Sequence, residues 1–506
     1  MLTSWRQITF FAAVSLVAGL MMISSESLWI DEGQTLRFAW LPTLSAWGQK
    51  LWQCTKSEAQ MPLGMLVAWA AEKVLGSGEW QLRAINLLWV SLGGLAMGLT
   101  GRLLRQPFLL PLFLLSPFLW LYANEARPYA MQICAAAWML YVMVRLQTQG
   151  SPSKADVWLC AAWAVLGFGA SMLFGFLFAG MLAGLWGPLR RQRGRMAWTP
   201  THLAALATAI VLVGGLSLYY LYTLKRGASG ARIWKVGLLN LGFAAYELLG
   251  LSGLGPPRGE LRELARTPRL LFQQLLQPLT FVGLGSLSLF YLVMVWRGWR
   301  LRREPLVRWL TVVLLVTAGC LFVAATVVGF PFWGRHLAPL VPFLVALLGK
   351  LVSNRSEATD FWNTHKLALL LCIPLLLSSL MLRFAPWHRK DDYRAAARLA
   401  LRALARGGTV WWSADHEECA VYYGLTPAKA TVPGARLLLA NCPSLEALDA
   451  ASPPDLVFLS KPDIHDNRQY ISSYLERMHY REAQRLPSFI LWIKPQATLQ
   501  QVIGEP

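Results

Sequence analysis

The stretch LWIDEGQT, Leu28 to Thr35, lies directly after the first long apolar run of the chain. Asp31 and Glu32 are therefore expected where a membrane helix has just emerged into water. Two adjacent carboxylates at a membrane edge repel each other and gain nothing from burial, so such a pair usually serves a cation or a proton transfer. The plainer alternative is a polar interfacial loop that only ends the helix.

The composition is that of a polytopic membrane protein. Of the 506 residues, 55% are hydrophobic and only 15% are charged, and the mean hydropathy is +0.42. Apolar runs of about 17 to 24 residues recur along the chain and are separated by short basic clusters. The net charge of +20 does not indicate nucleic-acid binding, because the arginines lie mainly in these short loops, where they set topology and contact membrane lipids.

The apolar runs predict about eleven transmembrane helices. They cover residues 8–23, 84–100, 107–122, 129–144, two spans within 156–186 with a break near 171–175, 202–222, 270–296, 306–328, 337–351 and 367–384. With a cytoplasmic N-terminus, both dense arginine clusters, RRQRGR (190–195) and RGWRLRREPLVR (297–308), fall on the cytoplasmic side, as the positive-inside rule requires. The outer loops are then 24–83, 123–128, 223–269 and 329–336. The first of these contains two predicted surface helices, at 35–52 and 62–75.

Residues 1–384 therefore form the predicted transmembrane domain, and residues 385–506 form a small soluble α/β domain on the outer side. Asp391 and Asp392 can cap a helix that runs to Arg406. Strands are predicted at 409–414, 436–440, 455–460 and 489–493, with a helix at 468–479 before the last of them.

This topology brings four separated residues to one face of the membrane, namely Asp31, Glu125, Arg127 and Arg335. Transfer of a sugar to a hydroxyl or an amine needs a base for the proton of the acceptor. It also needs cations beside the departing phosphate. Either acidic residue of LWIDEGQT can supply the base, and guanidinium groups match phosphate oxygens.

Four stretches in this order resemble the GT-C superfamily of membrane glycosyltransferases. They are WIDEGQT, MPLGMLVAWAAEKVLGSGEWQLRAIN, NEARPYAMQ and WGRHLAPLVP. The resemblance covers roughly residues 1 to 350 and is greatest to the bacterial branch related to protein O-mannosyltransferases and to the aminoarabinose transferase that acts on lipid A. It implies an inverting transfer of one sugar from a polyprenyl-phosphate donor at the periplasmic face of the bacterial inner membrane. The acceptor would be a lipid, a glycan or a protein of the cell envelope.

The resemblance also implies roles for single residues. Asp31 occupies the position of the catalytic base, and Glu32 completes the acidic pair. Glu125 and Tyr129, on either side of the ARP triplet, correspond to positions that contact the acceptor or a metal.

The donor phosphate would be bound by basic residues of three outer segments. Arg83, Arg127 and Arg335 match the arginines of the family, and His336 stands where this branch usually has tyrosine. A divalent metal ion held by Asp31 and Glu125 is a further expectation. The family's His-Pro-Pro stretch is replaced by AQMPLG at 59–64, which leaves a histidine role there in doubt.

Two other classes of function remain open. A transporter or flippase for polyprenyl-linked glycans should show internal repeats and charges near the membrane midplane, and the sequence has no clear repeat. A non-catalytic assembly factor would not depend on Asp31.

Overall fold

Two compact units make up the computed structural model, which describes residues 5–149, 153–191, 199–227, 236–264, 268–353, 361–414, 417–429, 432–439 and 444–504. The first unit comprises Met1–Ser24 and Phe38–His388, and the second comprises Ser25–Arg37 and Arg389–Pro506. The whole of the LWIDEGQT stretch thus belongs to the same unit as the C-terminal domain, a grouping that the sequence did not indicate.

The first unit is a helical bundle. Its longer helices are Trp5–Met22, Leu44–Gln53, Pro62–Leu75, Glu79–Leu104, Tyr129–Gln149, Lys154–Ala170, Gly175–Arg191, Pro200–Lys225, Leu238–Leu248, Pro278–Arg300, Pro305–Val328, Val341–Val352 and Phe361–Phe384. Shorter helices lie at Leu109–Leu114, Pro117–Ala123, Arg258–Leu264 and Pro268–Leu275. Among the described residues, eight helices are long and apolar enough to cross a membrane. The predicted class of polytopic helical membrane protein is confirmed, whereas the count of eleven spans stays a prediction.

The two spans predicted within 156–186 correspond to two short helices. The helices Lys154–Ala170 and Gly175–Arg191 have 17 residues each, at the short end of what a bilayer requires. Between them the chain leaves the helical conformation at Ser171, whose hydroxyl accepts a hydrogen bond from the Leu173 N–H at 3.2 Å. The predicted break is confirmed.

The predicted span at 107–122 is a broken helix. It consists of Leu109–Leu114 and Pro117–Ala123, because Pro117 has no N–H to donate and its ring excludes a continuous helix. The carbonyl groups freed at the break are bonded by side chains. Trp120 Nε1 donates to the Leu114 carbonyl at 2.7 Å, and Ser379 Oγ donates to the Leu115 carbonyl at 2.9 Å.

The predicted outer loops also contain helices. Pro62–Leu75 agrees with the second predicted surface helix, whereas the first is replaced by two helices, Ile30–Ala39 and Leu44–Gln53. The loop predicted at 223–269 carries the helices Leu238–Leu248 and Arg258–Leu264. These helices supply charged groups to the site described below.

The second unit is built on a five-stranded sheet. Its strands are β1 (Thr409–Ser413), β2 (Arg436–Leu439), β3 (Leu456–Ser460), β4 (Arg481–Leu486) and β5 (Phe489–Ile493), in the spatial order β2-β1-β3-β5-β4. The first three strands are parallel, and the hairpin β4–β5 joins the sheet antiparallel to β3. The four predicted strands are confirmed. The sequence analysis missed β4, which reads REAQRL.

The central strands β1 and β3 are buried on both faces of the sheet. Successive side chains of a strand point to opposite faces. Trp411 packs against Tyr474 on one face, with ring centroids 4.8 Å apart. Trp412 packs against Phe489 on the other, at 5.5 Å. The helix Tyr393–Ala405 covers this second face and is capped by Asp392, which accepts from the Ala395 N–H at 2.9 Å, as predicted.

Candidate functional site

An ionic cluster in the first unit surrounds the guanidinium group of Arg258. Its Nε contacts Glu247 Oε1, and its Nη1 lies 3.6 Å from Glu125 Oε1. Its Nη2 donates to the Tyr122 hydroxyl, and its central carbon lies 5.0 Å from the centroid of the Tyr122 ring. One planar group thus joins residues 247–258 to residues 122–125, which are distant in sequence. These four residues are the Arg258 cluster.

Glu247 is the most enclosed member of the Arg258 cluster. The Tyr122 hydroxyl donates to Glu247 Oε2 at 2.9 Å, and neither residue is exposed to solvent. Gly334, in the stretch WGRH, packs so closely on the Glu247 carboxylate that a β-carbon at position 334 would overlap with it. The structure therefore brings WGRH together with the helix Leu238–Leu248.

Of the predicted residues in NEARPY, Glu125 belongs to the Arg258 cluster and Tyr129 borders it. Asn86 donates to the backbone carbonyl of Glu125 at 2.7 Å and so fixes this turn. The Glu125 carboxylate, only 2% exposed, is paired with Arg258. Tyr129 packs edge-on against Tyr122, with ring centroids 5.1 Å apart.

Arg335 and His336 lie in the 3₁₀ helix Gly334–Leu340. Arg335 is partly exposed and lies within electrostatic reach of Tyr122. The Nδ1 atom of His336 accepts a hydrogen bond from the backbone N–H of Trp333 at 3.3 Å. A contact of His336 with phosphate, which stays a prediction, would therefore involve Nε2.

Arg127 forms a buried ion pair. Its Nη1 lies 3.1 Å from Glu58 Oε1, and the two side chains are only 4% and 3% exposed. Its Nη2 also lies 3.8 Å from the sulfur of Met61. Because both charges are withdrawn from water, each depends on its partner. Sequence reasoning did not identify Glu58, which lies in the 3₁₀ turn Ser57–Gln60.

Arg83 is fully buried and is linked to Ser24 and, through it, to Asn124. Its Nη1 donates to the backbone carbonyl of Ser24 at 2.8 Å, and the Ser24 N–H donates to the Asn124 side-chain oxygen at 2.8 Å. This arrangement ties the end of the first helical segment to NEARPY. The role of Arg83 in binding the donor phosphate stays a prediction.

Arg258 is the most exposed side chain of the Arg258 cluster. The side chain of Arg258 is 34% exposed, whereas those of Glu125 and Glu247 are 2% and 0% exposed. Burial disfavours the charged guanidinium, but the nearby Glu247, Tyr122 and Glu125 raise its pKa overall, so that it remains charged.

The predicted acidic pair lies in the second unit, in the first turn of the helix Ile30–Ala39. There the positive end of the helix dipole stabilises carboxylates. Asp31 is partly exposed, whereas Glu32 is fully buried. Glu32 Oε1 lies 3.3 Å from Lys390 Nζ, and Glu32 Oε2 accepts from the backbone N–H of Trp29 at 3.3 Å. The two adjacent carboxylates thus have different surroundings.

A metal ion has no ready set of ligands in the part of the chain that the structure describes. No group of three or more histidine, cysteine, aspartate or glutamate side chains is arranged there to hold one. In the first unit, the Glu125 carboxylate is paired with a guanidinium group. The predicted metal-binding roles of Asp31 and Glu125 stay predictions.

Several site residues were missed at the level of sequence. Glu58, Glu247 and Arg258 lie in the unremarkable stretches SEAQ, AYELLG and PPRGE. The available signal was their charge, since all three lie within predicted outer loops of a chain with only 27 acidic residues.

Comparison with known proteins found solved structures that are similar to this fold. No protein-family model and no curated protein matches the chain. The crystal structure of ArnT from Cupriavidus metallidurans in the apo state matches with a TM-score of 0.52 and 13% identity, over 96% of this chain and 97% of that one. The apo oligosaccharyltransferase of Archaeoglobus fulgidus matches with a TM-score of 0.44 and 12% identity, over 94% and 72%. Archaeal AglB from the same organism, in complex with an inhibitory peptide and a dolichol-phosphate, gives 0.43 and 11%, over 97% and 75%.

The ArnT match extends over nearly the whole of both chains, including the C-terminal domain. It agrees with the GT-C motifs, which were identified on other grounds. The chain is therefore a polytopic helical membrane protein with a fold similar to that of ArnT. The GT-C superfamily remains the one that its sequence motifs resemble.

Proposed function

We propose that the protein is an inverting glycosyltransferase that moves a sugar from a polyprenyl-phosphate donor to a lipid, glycan or protein of the cell envelope. The GT-C motifs and the ArnT-like fold support this class of reaction. The observation that carries the assignment of the base is the contrast within the acidic pair. Glu32 is buried against Lys390, whereas Asp31 is partly exposed at the start of its helix.

In the proposed reaction, Asp31 takes the proton of an acceptor hydroxyl or amine as that atom attacks the anomeric carbon of the sugar. The bond between the anomeric carbon and the phosphate oxygen breaks on the opposite face, so the configuration inverts. The bonding electrons leave with the polyprenyl phosphate. Glu32 has a supporting role, because its contacts fix the turn that carries Asp31.

Negative charge develops on the departing phosphate and needs cations beside it. Arg127, Arg335 and Arg83 are the arginines proposed from the motifs, with His336 as a neighbour. The geometry adds Arg258 as a candidate. Arg258 and Arg335 are partly exposed and suit direct contact, whereas the buried Arg83 suits support of the surrounding loops. Glu125 and Tyr129 are then proposed to border the acceptor.

The setting of the reaction follows from the donor. A polyprenyl tail partitions into the bilayer, which suits an enzyme made largely of apolar helices. By the positive-inside rule, the arginine clusters at 190–195 and 297–308 are expected on the cytoplasmic side of the bacterial inner membrane. We therefore propose that the N-terminus is cytoplasmic and that the C-terminal domain is periplasmic.

The proposed function is tested by Asp31→Asn in the full chain, expressed in membranes. The probes are tritium-labelled glucose, mannose and aminoarabinose, each linked to polyprenyl phosphate, with the envelope lipid and polysaccharide fractions as acceptors. Loss of the base should lower transfer by about 10²- to 10⁴-fold. Glu79→Gln is the matched control, because Glu79 also lies in the predicted loop 24–83 and is an acid in the first turn of a helix. Transfer by Asp31→Asn at the control rate would refute the catalytic assignment. Movement of these donors across the membrane without transfer would instead support a flippase.

A further inference from the structure

We propose that the α/β domain of the second unit holds the acidic segment Ser25–Arg37 and thereby positions Asp31 for catalysis. The residues that do this are Lys390, Cys419 and Tyr423, with Glu418 and Lys461 beside them. The inference rests on the proposed function for the role of Asp31. The contact between the domain and the segment can be tested independently of the proposed function.

The place where the segment is held is the one at which α/β domains usually bind ligands. After β1 the chain turns to β2 on one side, and after β3 it turns to β4 and β5 on the other. Ligands bind outside the carboxyl ends of parallel strands at such a switch point. Here Glu418 and Cys419 follow β1, Lys461 follows β3, and all three contact the acidic segment.

Two cationic side chains contact the start of the acidic segment. Lys390 Nζ lies 3.3 Å from Glu32 Oε1, and the Glu32 side chain has no exposed surface. Lys461 Nζ lies 5.8 Å from the centroid of the Trp29 indole, within reach of a cation–π interaction. Lys461 is in turn paired with Asp391, next to Lys390 in sequence.

The helix Glu417–Tyr422 and the residue after it contact the rest of the segment. Glu418 accepts hydrogen bonds from Gln34 Nε2 at 3.2 Å and from Arg37 Nη1 at 2.8 Å. The Tyr423 hydroxyl accepts from the backbone N–H of Leu28 at 2.8 Å. Residues at both ends of LWIDEGQT are therefore bonded to the same short stretch of the α/β domain.

The closest approach is between Gly33 and Cys419. A β-carbon at position 33 would lie 2.5 Å from Cys419 Sγ and 3.3 Å from the Cys419 backbone nitrogen. The Cys419 thiol also donates to the backbone carbonyl of Trp29 at 3.4 Å. Glycine is required at position 33 because the helix backbone itself lies against the thiol.

These contacts are made by residues on both sides of Asp31 in the chain. They involve Leu28, Trp29, Glu32, Gly33 and Gln34, which precede and follow it. A residue so held has little freedom to move, and preorganisation of a general base is a large part of its effect. The α/β domain is thus assigned a role in positioning the base, and the crevice at its switch point is filled by the chain itself.

The first experiment changes the close contact and then restores it. Gly33→Ala should displace the helix by about 1 Å and lower kcat by about 10- to 100-fold, with little change in the donor KM. In Gly33→Ala/Cys419→Ala the sulfur that causes the overlap is absent, and part of the lost kcat should return, because the thiol bond to the Trp29 carbonyl is lost as well. Gly48→Ala is the matched control, because Gly48 is also helical and has open space around it. Its kcat should equal that of the unaltered protein.

The second experiment does not depend on activity or on the folding of Gly33→Ala. Tyr423→Phe removes the acceptor of the Leu28 N–H, and amide hydrogen exchange of peptides within 25–37 should rise about five-fold. Tyr480→Phe is the control. It removes a hydrogen bond to the Pro454 carbonyl elsewhere in the same unit and should leave these peptides unchanged.

The outcomes separate the two proposals. Full transfer by Asp31→Asn would refute the proposed function, while faster exchange in Tyr423→Phe would still show that the domain holds the segment. If Asp31→Asn is inactive but Gly33→Ala keeps its kcat, the positioning role is refuted. Unchanged exchange in Tyr423→Phe refutes the holding of the segment. A loss in Gly33→Ala that the second substitution does not restore also contradicts the inference.

Discussion

The buried ion pair between Arg127 and Glu58 gives the sharpest prediction for stability. Glu58→Gln replaces the carboxylate by an amide of almost the same shape, so packing is kept while one charge is removed. The guanidinium group of Arg127 then stays in a site where its side chain is only 4% exposed. Water can therefore do little to replace the lost charge.

The magnitude follows from the distance and the burial. At an effective dielectric constant of about 20, unit charges 3.1 Å apart attract each other by about 5 kcal/mol. Removal of one partner of a buried pair usually costs about 3–5 kcal/mol. The amide introduced by Glu58→Gln would still accept a hydrogen bond from Arg127, so we expect the lower end, a loss of about 3 kcal/mol.

The assay is unfolding of the full chain in mixed micelles by titration with SDS, followed by circular dichroism. The control is Glu482→Gln, which breaks the exposed pair between Glu482 and Arg485, with side chains 36% and 65% exposed. That change should cost less than about 1 kcal/mol. The double variant Glu58→Gln/Arg127→Gln should be more stable than the sum of the single losses predicts, by at least about 1 kcal/mol. Equal losses for Glu58→Gln and Glu482→Gln would refute the reasoning.

Three further predictions concern other charged or titratable groups. Arg258→Lys keeps the charge, but a lysine cannot contact Glu247 and Glu125 together. The free energy of unfolding in the SDS assay should therefore fall by about 1–3 kcal/mol. An unchanged free energy would contradict a stabilising role of the Arg258 cluster. Burial, aided by nearby carboxylates, raises the pKa of the Cys419 thiol well above its ordinary value of 9.0. Iodoacetamide at pH 8 should therefore label Cys419 slowly until SDS unfolds the chain, and stability should fall as pH rises through 9.0, where only the unfolded state loses the proton. Burial lowers the pKa of His388 below 6.5, so only the unfolded state gains that proton just below this pH. Stability should fall as pH drops through 6.5, and His388→Asn should reduce that slope.

Much of the architecture could be predicted because its signals are local. Apolar runs long enough to cross a bilayer gave the helical bundle, and the break at Ser171 lay where the pattern weakened. In the C-terminal domain, β1, β2, β3 and β5 are apolar runs between turn residues. β4 was missed because REAQRL is a polar edge strand whose side chains are mostly exposed, so it has no apolar run to detect.

The motifs also identified candidate residues before any partner was known. Asp31, Glu125 and Arg127 stand out because charged residues are rare in such a chain and these lie beside apolar runs. The sequence alone thus supplied the class of protein, the motifs and the chemical types of side chain at the predicted outer face.

Only the tertiary structure decided which charges meet. The partner of Arg127 is 69 residues away, that of Tyr122 is 125 residues away, and that of Glu32 is 358 residues away. No periodicity relates such positions, because each pair depends on how whole helices and strands pack. For the same reason LWIDEGQT reveals two carboxylates, but only the fold separates a buried Glu32 from a partly exposed Asp31 and assigns their segment to the C-terminal domain.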